Sequence, residues 1–192
     1  MTARQVARDL RSLVCLASRT DATLAGGKSK LSAADFSVHM PTLEHKIPPP
    51  LLGALVAGAM WGVCAFGPQL SIPAAPRLAL VALLCAAGAT FDLAGLLAFR
   101  RSRTTVNPLK PERASALVTG GVYRITRNPM YVGMALLLLS WAVYLSAVLP
   151  FAGPLLFALY ITRFQIQPEE RALQAIFGEA YAAYAARVRR WL

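Results

Sequence analysis

Residues 121–133 read Gly-Val-Tyr-Arg-Ile-Thr-Arg-Asn-Pro-Met-Tyr-Val-Gly, and residues 167–170 read Gln-Pro-Glu-Glu. Two apolar runs lie between them, Met130–Leu149 and Phe151–Ile166, separated by Pro150. A helix needs about 20 predominantly apolar residues to cross a bilayer, and each run approaches that length. Two such helices joined by a tight turn form a hairpin whose ends return to the same membrane face. The spacing therefore predicts that Tyr123, Arg124, Arg127, Asn128 and Tyr131 meet Glu169 and Glu170 at one surface. Two arginines, an amide, two phenols and two carboxylates in one patch need a chemical explanation.

The rest of the 192-residue chain fits a membrane setting. Hydrophobic residues make up 56% of it and charged residues 15%, with a mean hydropathy of +0.49. Soluble domains carry about 25% charged residues. Upstream, Leu51–Phe66 and Leu78–Phe99 are two more apolar runs. The second is rich in alanine and glycine, which let helices approach closely. The expected fold is all-α: an integral-membrane bundle of about four transmembrane helices (51–66, 78–99, 130–149, 151–166) and a cytoplasmic helix over 168–190.

The formal net charge is +11, and its placement decides what it means. Seven Lys/Arg precede residue 47, and Arg77 alone lies between the first two runs. Seven more fall from Arg100 to Arg127, none at Pro150, and five from Arg163 onward. That alternation is the positive-inside pattern for four spans with both termini cytoplasmic. Topology and anionic headgroups account for the basic excess, which argues against nucleic acid as a partner.

Other chemistries are excluded by what is missing. Cys15, Cys64 and Cys85 form no CxxC pair, and His39 and His45 are the only histidines, so no metal site is expected. Both histidines precede the first span, which removes Ser-His-Asp and Cys-His catalysis. Neither a P-loop nor a dinucleotide-binding glycine motif is present.

Several local readings complete the pattern. Residues 1–39 have no sustained period and read as a flexible tail or as sequence upstream of a biological start at Met40. Residues 40–192 then form a single domain. Asp92 lies inside an apolar run, where an ionisable group is a functional candidate; near the interface it would instead pair with Arg100, Arg101 or Arg124. Asn107-Pro108 and Lys110-Pro111 predict an irregular path through the 100–127 connection. Pro129 suits the first turn of a helix starting near Asn128, whose free N–H groups suit a carboxylate or phosphate. Leu173, Ile176, Phe177, Tyr181, Tyr184 and Val188 recur at helical spacing, and Gly178 should bend or break that helix.

Consecutive side chains on a helix point about 100° apart. At most one of Glu169 and Glu170 should therefore face Arg127, leaving the other for a ligand or Arg171. From the residues alone, two readings stand: a ligand site, or an Arg–Glu clamp pinning the hairpin ends together.

From Phe99 to Trp191 the sequence resembles the isoprenylcysteine carboxyl methyltransferase family, itself similar to phospholipid N-methyltransferases. Gly121-Val122-Tyr123-Arg124 resembles that family's Gly-Pro-Tyr-Arg. Arg127-Asn128-Pro129-Met130-Tyr131-Val132-Gly133 resembles its Arg-His-Pro-x-Tyr-x-Gly. Glu169-Glu170, Phe177-Gly178-x-x-Tyr181-x-x-Tyr184 and Val188-Arg189-Arg190-Trp191 resemble its C-terminal signature. Lys46-Ile47-Pro48-Pro49-Pro50 and Thr104-Thr105-Val106-Asn107-Pro108 look like bacterial members.

The resemblance implies a methyltransferase of the bacterial inner membrane that binds S-adenosylmethionine on the cytoplasmic side. Tyr123, Arg127, Asn128, Pro129, Tyr131, Glu169 and Glu170 would line that cofactor site. Arg124 and Arg190 would orient a lipophilic or small acceptor carrying a carboxylate, thiol or amine, and they are the catalytic candidates. A non-catalytic membrane protein with a structural Arg/Glu cluster, or a membrane reductase of similar core, stays open beside it. Asn128 stands where many members have His, and Val122 where many have Pro. An amide can donate and accept like imidazole but cannot titrate, so no proton shuttle is expected there.

Overall fold

The structure is a computed structural model, and it describes residues 47–101 and 117–192. All of them belong to the unit Met40–Leu192. The readings on residues 1–39, Met40, Cys15, His39, His45, Asn107-Pro108 and Lys110-Pro111 lie outside the described residues.

Among the described residues the fold is helical, with isolated backbone bridges and no strand. The elements are α1 (Pro49–Val63), α2 (Ala74–Arg101), a 3-10 turn (Gly121–Arg124) and α3 (Pro129–Leu145). A second 3-10 turn (Leu149–Phe151), α4 (Ala152–Ile161), a π turn (Thr162–Ile166), α5 (Gln167–Phe177) and α6 (Glu179–Arg187) follow. Two helices are long and apolar enough to cross a membrane: α2, at 28 residues, and the continuous helix Leu149–Phe177, at 29. Helices α1 and α3 are apolar but only 15 and 17 residues long.

Helix α2 starts earlier than its apolar run suggests. Pro76 falls in the first turn, where a missing N–H breaks no intrahelical bond, so the helix begins at Ala74. Arg77 thus sits on the helix, not in a loop, and its Nη1 donates to Ser146 Oγ at 2.9 Å. Helix α3 begins at Pro129 with Asn128 flanking it, as the proline predicts. It ends at Leu145, where Ser146 turns left-handed at φ 50°.

Helix α3 is central and packs against α1, α2 and α4. Leu52 and Met60 of α1, Tyr131, Leu138 and Ala142 of α3, and Phe157 and Ile161 of α4 form one core with Ile166. Helix α2 joins differently, through glycine. A Cβ on Gly88 would lie 2.9 Å from the Gly133 carbonyl, and one on Gly95 would lie 2.8 Å from Met130 Cγ. A Cβ on Gly133 would collide with the Asp92 carboxylate. Small residues bring helices close where lipid removes the driving force of expelling water. Asp92 thus faces α3, and among the described residues no ion pair joins it to Arg100, Arg101 or Arg124. Leu55, Trp61, Leu83, Leu155, Leu156 and Leu159 are exposed, an apolar surface suited to lipid.

The π turn has a local cause. Pro168 has no N–H for a carbonyl one turn back and its ring crowds that carbonyl. The chain widens immediately before it, and the Gln167 N–H donates to the Thr162 carbonyl, five residues back. The predicted tail helix runs in two pieces because Gly178, at φ 51°, breaks it.

Candidate functional site

The hairpin brings the two sequence motifs together. Tyr131 lies in the first turn of α3, and its hydroxyl donates to Glu169 Oε1 at 2.7 Å. Arg127 Nη2 stands 3.2 Å from Glu170 Oε1. The two glutamates divide as their helical phase requires, one toward each partner.

Glu170 is held from two sides. Arg190 Nε donates to its Oε1 at 3.1 Å and Arg190 Nη2 to its Oε2 at 2.6 Å, a bidentate fork opposite Arg127. Bidentate guanidinium–carboxylate pairs add geometric specificity to charge attraction. Hydrogen bonding to Glu170 holds the Arg190 guanidinium above its ordinary pKa, against the opposing effect of its partial burial. Arg127 Nη1 also donates to the Tyr181 hydroxyl at 3.4 Å, while its Nε is buried without a partner.

Glu169 has a different environment. Its carboxylate accepts from Tyr131 and from the buried Gln165 amide, both neutral donors. No cation among the described residues pairs with it. A partly buried carboxylate held only by neutral groups attracts positive charge.

The phenols around the clamp stay protonated. Burial pushes Tyr184 up to about 12, and burial, then Tyr184 and Glu169, raise Tyr123 further. The Tyr184 hydroxyl donates to the Tyr123 carbonyl at 2.8 Å, and Tyr123 meets Phe99 edge-to-face with centroids 5.5 Å apart. Tyr184 and Phe99 thereby fasten the 3-10 turn to α6 and α2. An open groove of about 590 Å³ abuts the clamp, lined by Gln167, Glu170, Gln174, Tyr181 and Arg190 among others.

Of the residues expected from sequence, the structure brings Tyr123, Arg127, Pro129, Tyr131, Glu169, Glu170 and Arg190 together. Tyr123 and Pro129 are buried and Arg124 is exposed. Asn128 is engaged elsewhere: its Nδ2 donates to the Arg190 carbonyl at 2.9 Å. Sequence reasoning missed Gln165 and Thr162. Gln165 lies one turn before Glu169 in an apolar run, and an amide in that position was the available signal.

A sequence model described as phospholipid methyltransferase matches residues 76–180. The chain belongs to the phospholipid methyltransferase family. The family segment includes Tyr123, Arg127, Tyr131, Gln165, Glu169 and Glu170, while Arg190 lies beyond it. Protein-S-isoprenylcysteine O-methyltransferase B of Arabidopsis thaliana is 38% identical over 93 residues, covering 46% of this chain and 45% of that protein. The chain thus spans less than half of the plant relative's length. A protein of Haemophilus influenzae described as uncharacterized is 43% identical over 63 residues, 33% of this chain and 100% of its own length. Family membership and the apolar helices together make this a membrane protein of methyltransferase type.

Proposed function

We propose that the protein is an S-adenosylmethionine-dependent methyltransferase whose acceptor is lipophilic, or a small carboxylate, thiol or amine. The observation that carries this reading is the division of the glutamate pair. Glu170 faces two guanidinium groups, and a structural clamp accounts for it. Glu169 has a phenol and an amide for partners, and a clamp does not account for it. A carboxylate so placed fits a cationic ligand.

The site suits an amino-acid sulfonium donor on two counts. Glu169 presents a negative group without a cation, and Arg127 Nε presents an unpartnered N–H. The first matches an ammonium or sulfonium, the second a carboxylate. When bound, S-adenosylmethionine supplies an electrophilic methyl carbon. The protein's own task is then proximity, alignment and exclusion of water. Tyr131 and Gln165 fix the Glu169 carboxylate, and the buried Tyr123 lies close enough to feel its charge. Arg124, exposed on the adjoining turn, orients an anionic acceptor.

We read all four apolar helices as spans, which places both hairpin ends and the clamp on the cytoplasmic face of a bacterial inner membrane. The Lys/Arg distribution supports that orientation. The name of the plant relative supports a carboxylate acceptor, and the family's name supports a lipid one.

Calorimetry on detergent-purified protein tests the reading. Wild-type protein should bind S-adenosylmethionine, and Glu169→Gln should weaken binding about a hundredfold, as loss of one buried charge partner does. Its unfolding temperature should hardly move. Folded wild-type protein that binds no S-adenosylmethionine, or a Glu169→Gln variant that binds it equally, would overturn the assignment.

A further inference from the structure

The last residues of the chain make contacts that neither the family segment nor the donor site explains. After α6 the chain runs extended, and three consecutive residues are each fastened. The Arg189 carbonyl accepts the Arg127 N–H at 2.9 Å, and residues 126 and 189 pair as a parallel bridge. The Arg190 carbonyl accepts the Thr126 hydroxyl at 3.1 Å and the Asn128 amide at 2.9 Å. The Trp191 indole N–H donates to the Thr162 hydroxyl at 3.1 Å. Thr126 is fully buried, and its oxygen also accepts the Asn128 N–H at 3.2 Å. These anchors belong to both limbs of the hairpin, the approach to α3 and the first residue of the π turn.

We propose that residues 188–192 form a strap that positions Glu170, with Asn128 and Trp191 as positioning residues holding the Arg190 backbone between them. The proposal rests on the methyl-donor reading and deepens it. With its backbone fixed on both sides, Arg190 can reach Glu170 only as the bidentate fork observed. That fork keeps Glu170 turned to Arg127 and away from Glu169. Freed of Arg190, Glu170 would swing toward the donor's position and leave Arg127 misaligned. Asn128 therefore acts as a hydrogen-bond donor to the strap and does not contact the methyl donor.

The sign of a charge substitution separates these two roles. Asn128→Asp is nearly isosteric but puts a carboxylate against the Arg190 carbonyl. Were Asn128 in contact with the cationic donor, Asp would tighten binding. As a strap anchor, it should weaken S-adenosylmethionine binding about tenfold, since one well-made hydrogen bond is lost and a carboxylate is set against the Arg190 carbonyl oxygen. Asn128→His, whose ring N–H can donate to the same carbonyl, should restore most of the affinity. Trypsin should also remove the C-terminal residues faster from Asn128→Asp than from wild type, read by intact mass.

Binding by Asn128→Asp as tight as wild type, or a His variant as weak as the Asp one, overturns the strap while leaving the donor reading intact. Equal trypsin rates overturn it as well. Wild-type protein that binds no S-adenosylmethionine removes the donor reading and the strap's role with it. Should Asn128→Asp fail to fold, Trp191→Phe keeps an aromatic side chain but replaces the indole with a smaller phenyl ring that has no N–H for Thr162. It should weaken binding in the same direction, and unchanged affinity there counts against the proposal.

Discussion

The two ends of the α3–α4 hairpin are held by opposite means. At the turn, the Leu70 N–H donates to the Ser146 carbonyl at 2.7 Å and the Val148 N–H to the Pro68 carbonyl at 3.1 Å. Gln69 bridges Ala147, and one side chain, Arg77, reaches Ser146. At the other end Glu170 takes two guanidinium groups, Glu169 takes a phenol and an amide, and backbone contacts come from the chain's last residues. At the turn, neutral backbone pairs and one guanidinium hydrogen bond to a hydroxyl suffice, and among the described residues no ion pair joins the limbs there. The ion pairs on Glu170 are more than closure requires, and Glu169 beside them is held by neutral donors alone.

Glu170→Gln should show the largest effect on folding. It releases Arg127 and Arg190 from their shared carboxylate, and hydrogen bonds to charged groups contribute about 1.5–3 kcal/mol when buried. Arg190 is 36% exposed, so solvent screening lowers the expected loss to about 1–2 kcal/mol. Thermal unfolding in detergent measures it, and an unchanged midpoint would mean the clamp is not holding the ends. Residual donor binding should exceed that of Glu169→Gln.

Tyr131→Phe comes next. It removes the hydroxyl on Glu169 while keeping the ring in the core, and should cost about 1 kcal/mol of stability and about fivefold in donor affinity. A wild-type affinity would show that Gln165 alone orients the carboxylate. Arg77→Met is the smallest. It keeps the apolar stem, loses one hydrogen bond and removes a buried Nε that has no partner. The expected change is below about 1 kcal/mol, with donor binding untouched. Altered binding would show that the ends communicate along α3.

Much of this arrangement is legible in the sequence because it follows from periods and lengths. Two apolar runs around Pro150 predict the hairpin, Pro129 marks the start of α3, and the helical phase splits the glutamates. What stays hidden leaves no compositional trace. The strap is fastened through the carbonyls of Arg189 and Arg190, which any residue carries. The resemblance puts Asn128 on the cofactor wall, and nothing in the sequence tells that its amide donates to a backbone oxygen contributed sixty-two positions downstream. The second apolar run reads from Leu78, yet Pro76 is harmless in a first turn and the helix begins ahead of it, at Ala74. Asp92 gave two readings by depth alone, and only the missing Cβ of Gly133 shows which neighbour it faces.

The π turn at Thr162–Ile166 sets the rotational phase of everything after it. An unbroken α-helix would tie the direction of the carboxylates rigidly to the direction of the buried Phe157 and Ile161, since each residue advances about 100°. The widened turn takes up the mismatch, as a shim does between two threaded parts. Core packing on one side and the orientation of Glu169 and Glu170 on the other can then be adjusted independently along a single continuous rod.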